Sequence, residues 1–367
     1  MKKIVVAFGT RPEIIKLAPL INELESLEKF NVVKVHTGQH DELAVDMLNV
    51  FGISPDHNLK SMASTSDLFE MTQFLLPKLK QLFSAEKPDA VVVQGDTTSS
   101  YLSALAAFYL QIPVYHVEAG LRSFDNYNPF PEEMNRKQIS SIASLHFAPT
   151  DIAVQNLLRE GFSESSVFNT GNTVIDALHQ IRKSDLFSAS KPDILNEIHS
   201  KQKLILVTTH RRENLGDPLS SIMKGLVEIL EADPFRIIFL PGHPNPKVQE
   251  ILRSAEFRHK RLRIIDPLDY LTFQHVLERA DLVLTDSGGI QEEAAALGKK
   301  ILVLRKTTER QELIESGYTN LVGSDSALIS KETDKKLKES DSDIAYNPYG
   351  TGDASKKIAD IIQSKIE

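Results

Sequence analysis

The stretch VYHVEAGLRS, Val114 to Ser123, decides how the chain is read. Four residues with the character of a buried strand run straight into a carboxylate, Glu118, and then into Ala-Gly, where the chain can turn. The same pattern recurs along the sequence. Short β-rich apolar runs end in polar or glycine-containing turns, at Ile4–Phe8, Val32–Thr37, Ala90–Gln94, Val114–Val117, His146–Ala148, Leu204–Thr208, Ile237–Leu240, Arg263–Ile265, Leu282–Thr285, Ile301–Leu304 and Leu321–Gly323. Between them lie helical patterns such as Leu68–Phe83, Leu219–Glu231 and Gln291–Leu297, and Asp353–Ile366 reads as a final helix. Strands apolar on both faces and separated by helices predict α/β structure with parallel sheet covered on both sides.

Eleven strands are many for one such sheet. The pattern weakens in the polar stretch RKSDLFSASKPDILNEIHSKQ, Arg182 to Gln202, and a fresh run of βα units follows. A domain junction is expected there or slightly before it, near Gly171.

Composition narrows the function classes. The 367 residues are 41% hydrophobic and 25% charged, ordinary for globular material of two or three domains. The formal charge of -8 is spread along the chain, and no basic run marks a nucleic-acid footprint. With no cysteine, disulfides, a thiolate nucleophile and Cys-ligated zinc are excluded. The opening MKKIVVAFGTRPE has too short an apolar run for a signal peptide, and no segment approaches the ~18 apolar residues of a membrane helix. A soluble, cytoplasmic protein is expected.

Doubly wound sheets bind ligands beyond the carboxyl ends of their strands. What the strands deliver there is therefore informative. The first half delivers GTRPE with Arg11, then a helix bearing Lys16, then TGQH with Gln39 and His40, QGDTTSS with Asp96, and Glu118. The second half delivers THRRENLG with His210 and Arg211, PGHPNP with His243, DPLDYLTF with Phe273, TDSGGIQEE and RKTTERQE with Arg310. Titratable residues recur at strand tips in both halves, which predicts one cleft between two facing domains.

Each feature also has an ordinary structural reading. DSGGIQEE can be a glycine turn and a helix capped by Asp286 or Ser287. Alternatively, Ser287, Gly288 and Gly289 expose N–H groups at a helix N-terminus suited to a diphosphate, with Glu293 a turn inside to accept ribose hydroxyls. Arg310 can donate to phosphate or lie in solvent, and Phe273 can stack on a base or fill the core. A lone Asp96, His210 or His243 is commonly a turn or hydrogen-bonding residue. No His-Glu-x-x-His spacing is present, so no metal is expected. No G-x-G-x-x-G and no Walker loop appears, which argues against a dinucleotide or ATP enzyme. In PFPEEMNR, Pro131 starts a helix whose first turn holds Glu132 and Glu133, at least one of which serves the helix dipole. A carboxylate at a strand tip is harder to dismiss. Burial there suits Glu118 to general acid/base work, and Asp96, Glu118 and Glu132 would together move protons without a cofactor.

GTRPEIIKLAP, TGQH, QGDTT, HVEAGLRS, PFPEEMNR, GNTVIDAL, THRREN, DSGGIQEEA and NPYG, in that order from Gly9 to about Gly350, resemble the non-hydrolysing UDP-N-acetylglucosamine 2-epimerase family. The resemblance implies a GT-B-type fold of two Rossmann-like doubly wound domains facing across a central cleft, usually dimeric. Residues 1–171 would form the domain with the catalytic carboxylates, 172–350 the UDP-binding domain, and 351–367 a helix able to pack back on the first. It further implies reversible C2 epimerisation of UDP-GlcNAc and UDP-ManNAc through 2-acetamidoglucal, for surface polysaccharide precursors and without a cofactor. Asp96, Glu118, Glu132 and His210 would be catalytic. Arg11, Lys16, His243, Phe273, Ser287, Gly288, Gly289, Glu293 and Arg310 would hold substrate. Gln39, His40 and Arg211 would bind UDP-GlcNAc as an activator. Leu43, Leu268 and the Gln311 of ERQE depart from the usual residues and leave the preferred UDP-sugar open. A modified UDP-hexosamine epimerase and a GT-B glycosyltransferase are the alternatives.

Overall fold

A computed structural model describes residues 1–366 apart from 39–40, 62–66, 210, 212–213, 243–245 and 341–346. The chain divides into two compact units. One comprises Met1–Lys183 together with Pro348–Glu367, and the other Ser184–Asn347.

The first unit runs β1 (Lys2–Phe8), α1 (Arg11–Ser26), β2 (Phe30–His36), α2 (Asp41–Phe51), β3 (His57–Asn58), α3 (Leu68–Glu86), β4 (Ala90–Gln94) and α4 (Thr98–Tyr109). It continues through β5 (Val114–Val117), α5 (Glu132–Ile142), β6 (Leu145–Ala148), α6 (Asp151–Arg159), β7 (Val167–Asn169) and α7 (Thr173–Arg182). Its seven strands are all parallel, in the order β3-β2-β1-β4-β5-β6-β7. Strands β4, β5 and β6 are buried along their whole length, because helices cover both faces of the sheet. Val5, Val91 and Val93 pack beneath Leu75, Leu79 and Phe83 of α3 and Leu102 of α4.

The second unit runs α8 (Asp185–Ala189), β8 (Lys203–Thr208), α9 (Asp217–Ala232), β9 (Arg236–Pro241), α10 (Pro246–Leu252), β10 (Leu262–Ile265) and α11 (Tyr270–Arg279). Then follow β11 (Leu282–Thr285), α12 (Gly288–Ala296), β12 (Lys300–Val303), α13 (Gln311–Glu315), β13 (Thr319–Leu321) and α14 (Ser326–Lys338). Its parallel sheet has the order β10-β9-β8-β11-β12-β13. On one face Ile205, Val207, Leu282 and Leu284 meet Ile222, Leu226 and Ile229 of α9. No helix among the described residues is long and apolar enough to cross a membrane.

The first unit runs to Lys183, inside the polar stretch Arg182–Gln202 where a junction is expected and beyond Gly171. Helix α7 packs on α1, and the chain comes back to it. The Asn172 N–H donates to the Tyr349 carbonyl at 2.9 Å. The Asp176 carboxylate accepts from the N–H groups of Ser355 (2.8 Å) and Ala354 (3.3 Å), the first residues of α15 (Ala354–Lys365). Side-chain acceptance of those amides caps the returning helix, which packs on α1 and α7. The sequence signal at Gly171 marks a turn before α7.

In both sheets the strand order reverses once, between β1 and β4 and between β8 and β11. Loops diverge there at the carboxyl ends, and each such switch point leaves a crevice suited to a ligand.

Candidate functional site

At the switch point of the first unit, Gly9–Arg11 follow β1 and Gly95–Thr97 follow β4. Glu13 ties these loops together. One of its oxygens accepts from the N–H groups of Gly9 (3.1 Å) and Thr10 (2.7 Å) and the Thr10 hydroxyl (2.7 Å). The other accepts from the hydroxyls of Thr97 (2.9 Å) and Ser100 (2.6 Å). Burial raises the Glu13 pKa, and these hydrogen bonds offset part of that shift. Glu13 thus sets the loops that carry Arg11 and Asp96.

Glu118 stands at the tip of β5 with φ +63°, a left-handed backbone that costs a non-glycine residue about 1–3 kcal/mol. It is only 8% exposed. The Lys16 ammonium, on α1, and the Gln94 amide (2.6 Å) both donate to its Oε2. The turn continues through Gly120, where φ is +89° and an added Cβ would lie 2.3 Å from the Ala153 carbonyl oxygen. Only glycine fits that approach to α6.

Asp96, at the tip of the neighbouring strand, pairs with the Arg136 guanidinium at 2.5 Å, and its carbonyl accepts from the Asn135 side chain at 2.9 Å. Both partners lie on α5. That helix also separates the two glutamates of PFPEEMNR. Glu133 is fully buried and accepts from the N–H groups of Ser123 (2.9 Å) and Phe124 (3.1 Å) and from Arg136 (3.0 Å), so it shapes the loop after β5. Glu132, one residue earlier, is half-buried. Arg122 is buried in a two-pronged pair with Glu160, 2.7 Å on each prong. Beneath the site, His116 bonds the Gly95 carbonyl through Nε2 at 2.7 Å. Burial depresses the His116 pKa to about 3, leaving a neutral imidazole as a support for the Asp96 turn.

In the second unit Ser287 occupies the N-cap position of α12 without capping it through its side chain. Asp286, read as a possible cap, points elsewhere. Its Oδ2 accepts from the Thr209 hydroxyl (3.1 Å), the Arg211 N–H (2.9 Å) and the Asn214 amide (2.9 Å), bracing the loop after β8. The first amides of α12 thus have no side-chain cap from Ser287 and carry the positive end of the helix dipole. The Arg310 guanidinium lies against that turn, its Cζ 2.7 Å from where a Cβ on Gly288 would sit. It is held in place, donating to Glu292 at 3.0 and 2.7 Å and to Glu309. Arg305 pairs with Glu309 at 2.8 Å, and Arg211 lies 3.9 Å from it. Burial works to raise the Glu309 pKa, but Arg310, Arg305 and Arg211 outweigh it and hold the carboxyl well below its usual range. Three guanidiniums, balanced by Asp286, Glu292 and Glu309, gather beside a helix N-terminus, an arrangement suited to a diphosphate.

Glu293, between one and two turns into α12, accepts from the Gln274 amide at 2.8 Å and the Tyr270 hydroxyl at 3.3 Å, both on α11. Phe273, on the same helix, is buried. Gln39, His40, His210 and His243 lie outside the described residues. Among those described, no group of three His, Asp or Glu side chains could hold a metal ion. Sequence reasoning passed over Glu13, Gln94, Arg136, Glu292 and Glu309. The signal available for Gln94 was a polar residue ending an otherwise apolar strand beside a carboxylate-bearing one.

Two doubly wound parallel-sheet domains with titratable clusters at their switch points define an α/β protein of the GT-B type. The chain belongs to the UDP-N-acetylglucosamine 2-epimerase family, whose sequence model matches residues 22–363. It is 42% identical over 373 residues to the UDP-N-acetylglucosamine 2-epimerase of Campylobacter jejuni, covering 99% of this chain and 97% of that one. Identity to the Salmonella typhimurium enzyme of the same name is 43%, over 99% and 98% of the two chains. The structure of the Neisseria meningitidis UDP-GlcNAc 2-epimerase bound to UDP-GlcNAc superimposes with a TM-score of 0.91 at 38% identity, covering 99% of this chain and all of that one.

Proposed function

We propose that this chain is a non-hydrolysing epimerase that interconverts UDP-GlcNAc and UDP-ManNAc, with the second unit holding UDP and the first moving protons at C2. The observation that carries the reading is Glu118, a carboxylate buried at a strand tip in a strained backbone and oriented by two donors. Strain of this kind persists where the surrounding structure over-determines it, which is common at reacting centres. The membership of the family and the Neisseria complex with UDP-GlcNAc support the choice of substrate.

The chemistry must begin at the anomeric bond, because the C2 proton is scarcely acidic until positive charge develops on the sugar. As the C1–O bond breaks, its electron pair leaves with UDP. A carboxylate takes the C2 proton, and the C2–H electrons form the C1=C2 bond of 2-acetamidoglucal. Reprotonation at C2 from the other face, with a β-phosphate oxygen adding back to C1, gives the epimer. Arg310, the α12 amides and Arg11 would stabilise the departing diphosphate. Asp96, Glu118, Glu132 and His210 would supply the acid/base groups, Lys16, His243 and Phe273 would lie in the substrate site, and Glu293 would accept the ribose hydroxyls. The reading extends to a homodimer and to activation by UDP-GlcNAc through Gln39, His40 and Arg211.

Proton NMR of UDP-GlcNAc with the protein in D2O tests this. UDP-ManNAc should rise to a minority equilibrium level while deuterium enters C2 of both sugars. A glycosyltransferase would need an acceptor and leave C2 unlabelled, a hydrolysing enzyme would release free ManNAc, and no exchange at all would end the proposal.

A further inference from the structure

Lys16 and Gln94 converge on one oxygen of Glu118. Lys16 is 6% exposed and Gln94 4%, so both lie as deep as the carboxylate they meet. They come from different elements, α1 and β4, which places Oε2 between two fixed points. A buried ammonium against a buried carboxylate is an arrangement in which neither charge is affordable without the other. From this geometry we infer that Lys16 and Gln94 are positioning residues for Glu118. Lys16 keeps the carboxylate ionised, and Gln94 fixes its rotation, so that it enters the reaction as a base. The inference rests on the proposed acid/base role of Glu118 and gives Lys16 a task toward the carboxylate beyond its place in the substrate site.

Other charged groups nearby are otherwise engaged. Glu13, one turn before Lys16 on α1, is saturated by Gly9, Thr10, Thr97 and Ser100. On α5, Arg136 is divided between Asp96 and Glu133, while Lys137 lies 3.9 Å from Glu133. His146 on β6 is kept neutral near pH 7 by burial and by Arg122, its pKa pushed down to about 4, and His116 on β5 is neutral likewise. Burial raises the pKa of Tyr101 on α4, so it carries no charge at neutral pH. Among the described residues, Lys16 is the cation that donates to the Glu118 carboxylate, which should feel its loss.

Removing a cation beside a carboxylate makes it easier to protonate, so the acid limb of the rate profile should move to higher pH. The experiment measures kcat and KM for UDP-GlcNAc from pH 5.5 to 9, and UDP affinity by calorimetry, in the full chain and in Lys16→Met and Gln94→Leu. The acid limb should rise by about one unit or more in Lys16→Met. At pH 7 kcat should fall about 10-fold or more in both variants, in the range of general-base effects. In Lys16→Met part of that loss should return at higher pH, and UDP affinity should stay within about twofold. A Lys16 that serves only to bind substrate predicts the opposite, UDP affinity weakened about tenfold with an unmoved limb, and that result overturns the inference. If Lys16→Met does not fold, Gln94→Leu decides. A normal kcat there, with only lowered thermal stability, also overturns it. An active wild type with unmoved limbs sinks the role of the pair alone, whereas a wild type that exchanges nothing at C2 sinks the proposed function with it.

Discussion

The Oδ2 of Asp286, at the end of β11, accepts a hydrogen bond from the backbone N–H of Arg211, in the loop after β8, at 2.9 Å. The same oxygen takes the Thr209 hydroxyl and the Asn214 amide, and Asn214 also donates to the Leu304 carbonyl at 3.0 Å. Three chain segments are thereby fixed around one carboxylate that is fully buried. Replacing it by Asn at constant shape turns one acceptor edge into a donor facing other donors. Unsatisfied buried donors cost about 1–3 kcal/mol each. Asp286→Asn should keep the far-ultraviolet circular dichroism of the wild type, lose turnover by about tenfold or more, and be cleaved faster by proteases between residues 209 and 214. Unchanged turnover would show that this loop does not need its brace.

Glu132 and Glu133 are adjacent in sequence and should be opposite in behaviour. Glu133→Gln strips a buried carboxylate from two backbone amides and Arg136. Breaking such a charged network costs about 3–5 kcal/mol, so the melting temperature should drop by several degrees. Glu132→Gln should leave it nearly unchanged while turnover falls about 100-fold or more, as for an acid/base group. Differential scanning calorimetry with initial rates separates the two. Equal thermal effects would undo the distinction drawn between them.

That distinction was not legible in the sequence, where both glutamates simply occupy a first helical turn. It depends on where the loop at Ser123 and Phe124 passes, a tertiary fact. The strands at the centre of each sheet were readable because burial on both faces writes a continuous apolar run. Val114–Val117 and Leu282–Thr285 begin and end where the sequence places them. The missed strands, His57–Asn58 and Val167–Asn169, are short sheet edges with partly exposed, polar residues. The full extent of the first unit was harder to read for a similar reason. Asn172 caps α7 like the start of any helix, and the return of the chain through Tyr349 and Ala354 leaves no local mark. Strand-tip residues such as Asp96 and Glu118 stood out by type and place. The Lys16–Glu118 pair did not, since 102 residues separate its members.

Two buried histidines make stability depend on pH. His116 and His146 have pKa values pushed down by burial to about 3 and about 4, against 6.5 when unfolded. Between pH 6.5 and about 4 the unfolded chain therefore holds more protons, and stability falls as pH falls. Each group contributes about 1.4 kcal/mol per pH unit in that window. Glu13 and Asp176, whose pKa values burial raises, act in the opposite sense. A variant isolates one histidine from that background. Urea unfolding between pH 7 and 5 should lose about 2 kcal/mol less in His146→Leu than in wild type. Parallel curves would mean that His146 gains its proton in the folded state as readily as in the unfolded one.

Glu293 distinguishes a ribose contact from a helix ornament. On α12 its carboxylate is 7% exposed and is oriented by Gln274 and Tyr270. If its work were only to favour the helix dipole or brace α11, replacing it would alter stability and affect every nucleotide alike. If it accepts ribose hydroxyls, the effect must depend on those hydroxyls being present. Hydrogen bonds to charged groups are worth about 1.5–3 kcal/mol, so Glu293→Ala should weaken UDP binding about 10- to 100-fold. The decisive comparison is between UDP and 2′-deoxy-UDP by calorimetry. The wild type should discriminate against the deoxy nucleotide, and Glu293→Ala should bind the two with nearly equal affinity, because removing either partner of one contact makes removing the other inconsequential. Tyr270→Phe, which deletes only the longer of the two orienting bonds, should fall between them. Discrimination that survives Glu293→Ala intact would place the hydroxyl contact elsewhere and leave this glutamate a structural role between α11 and α12.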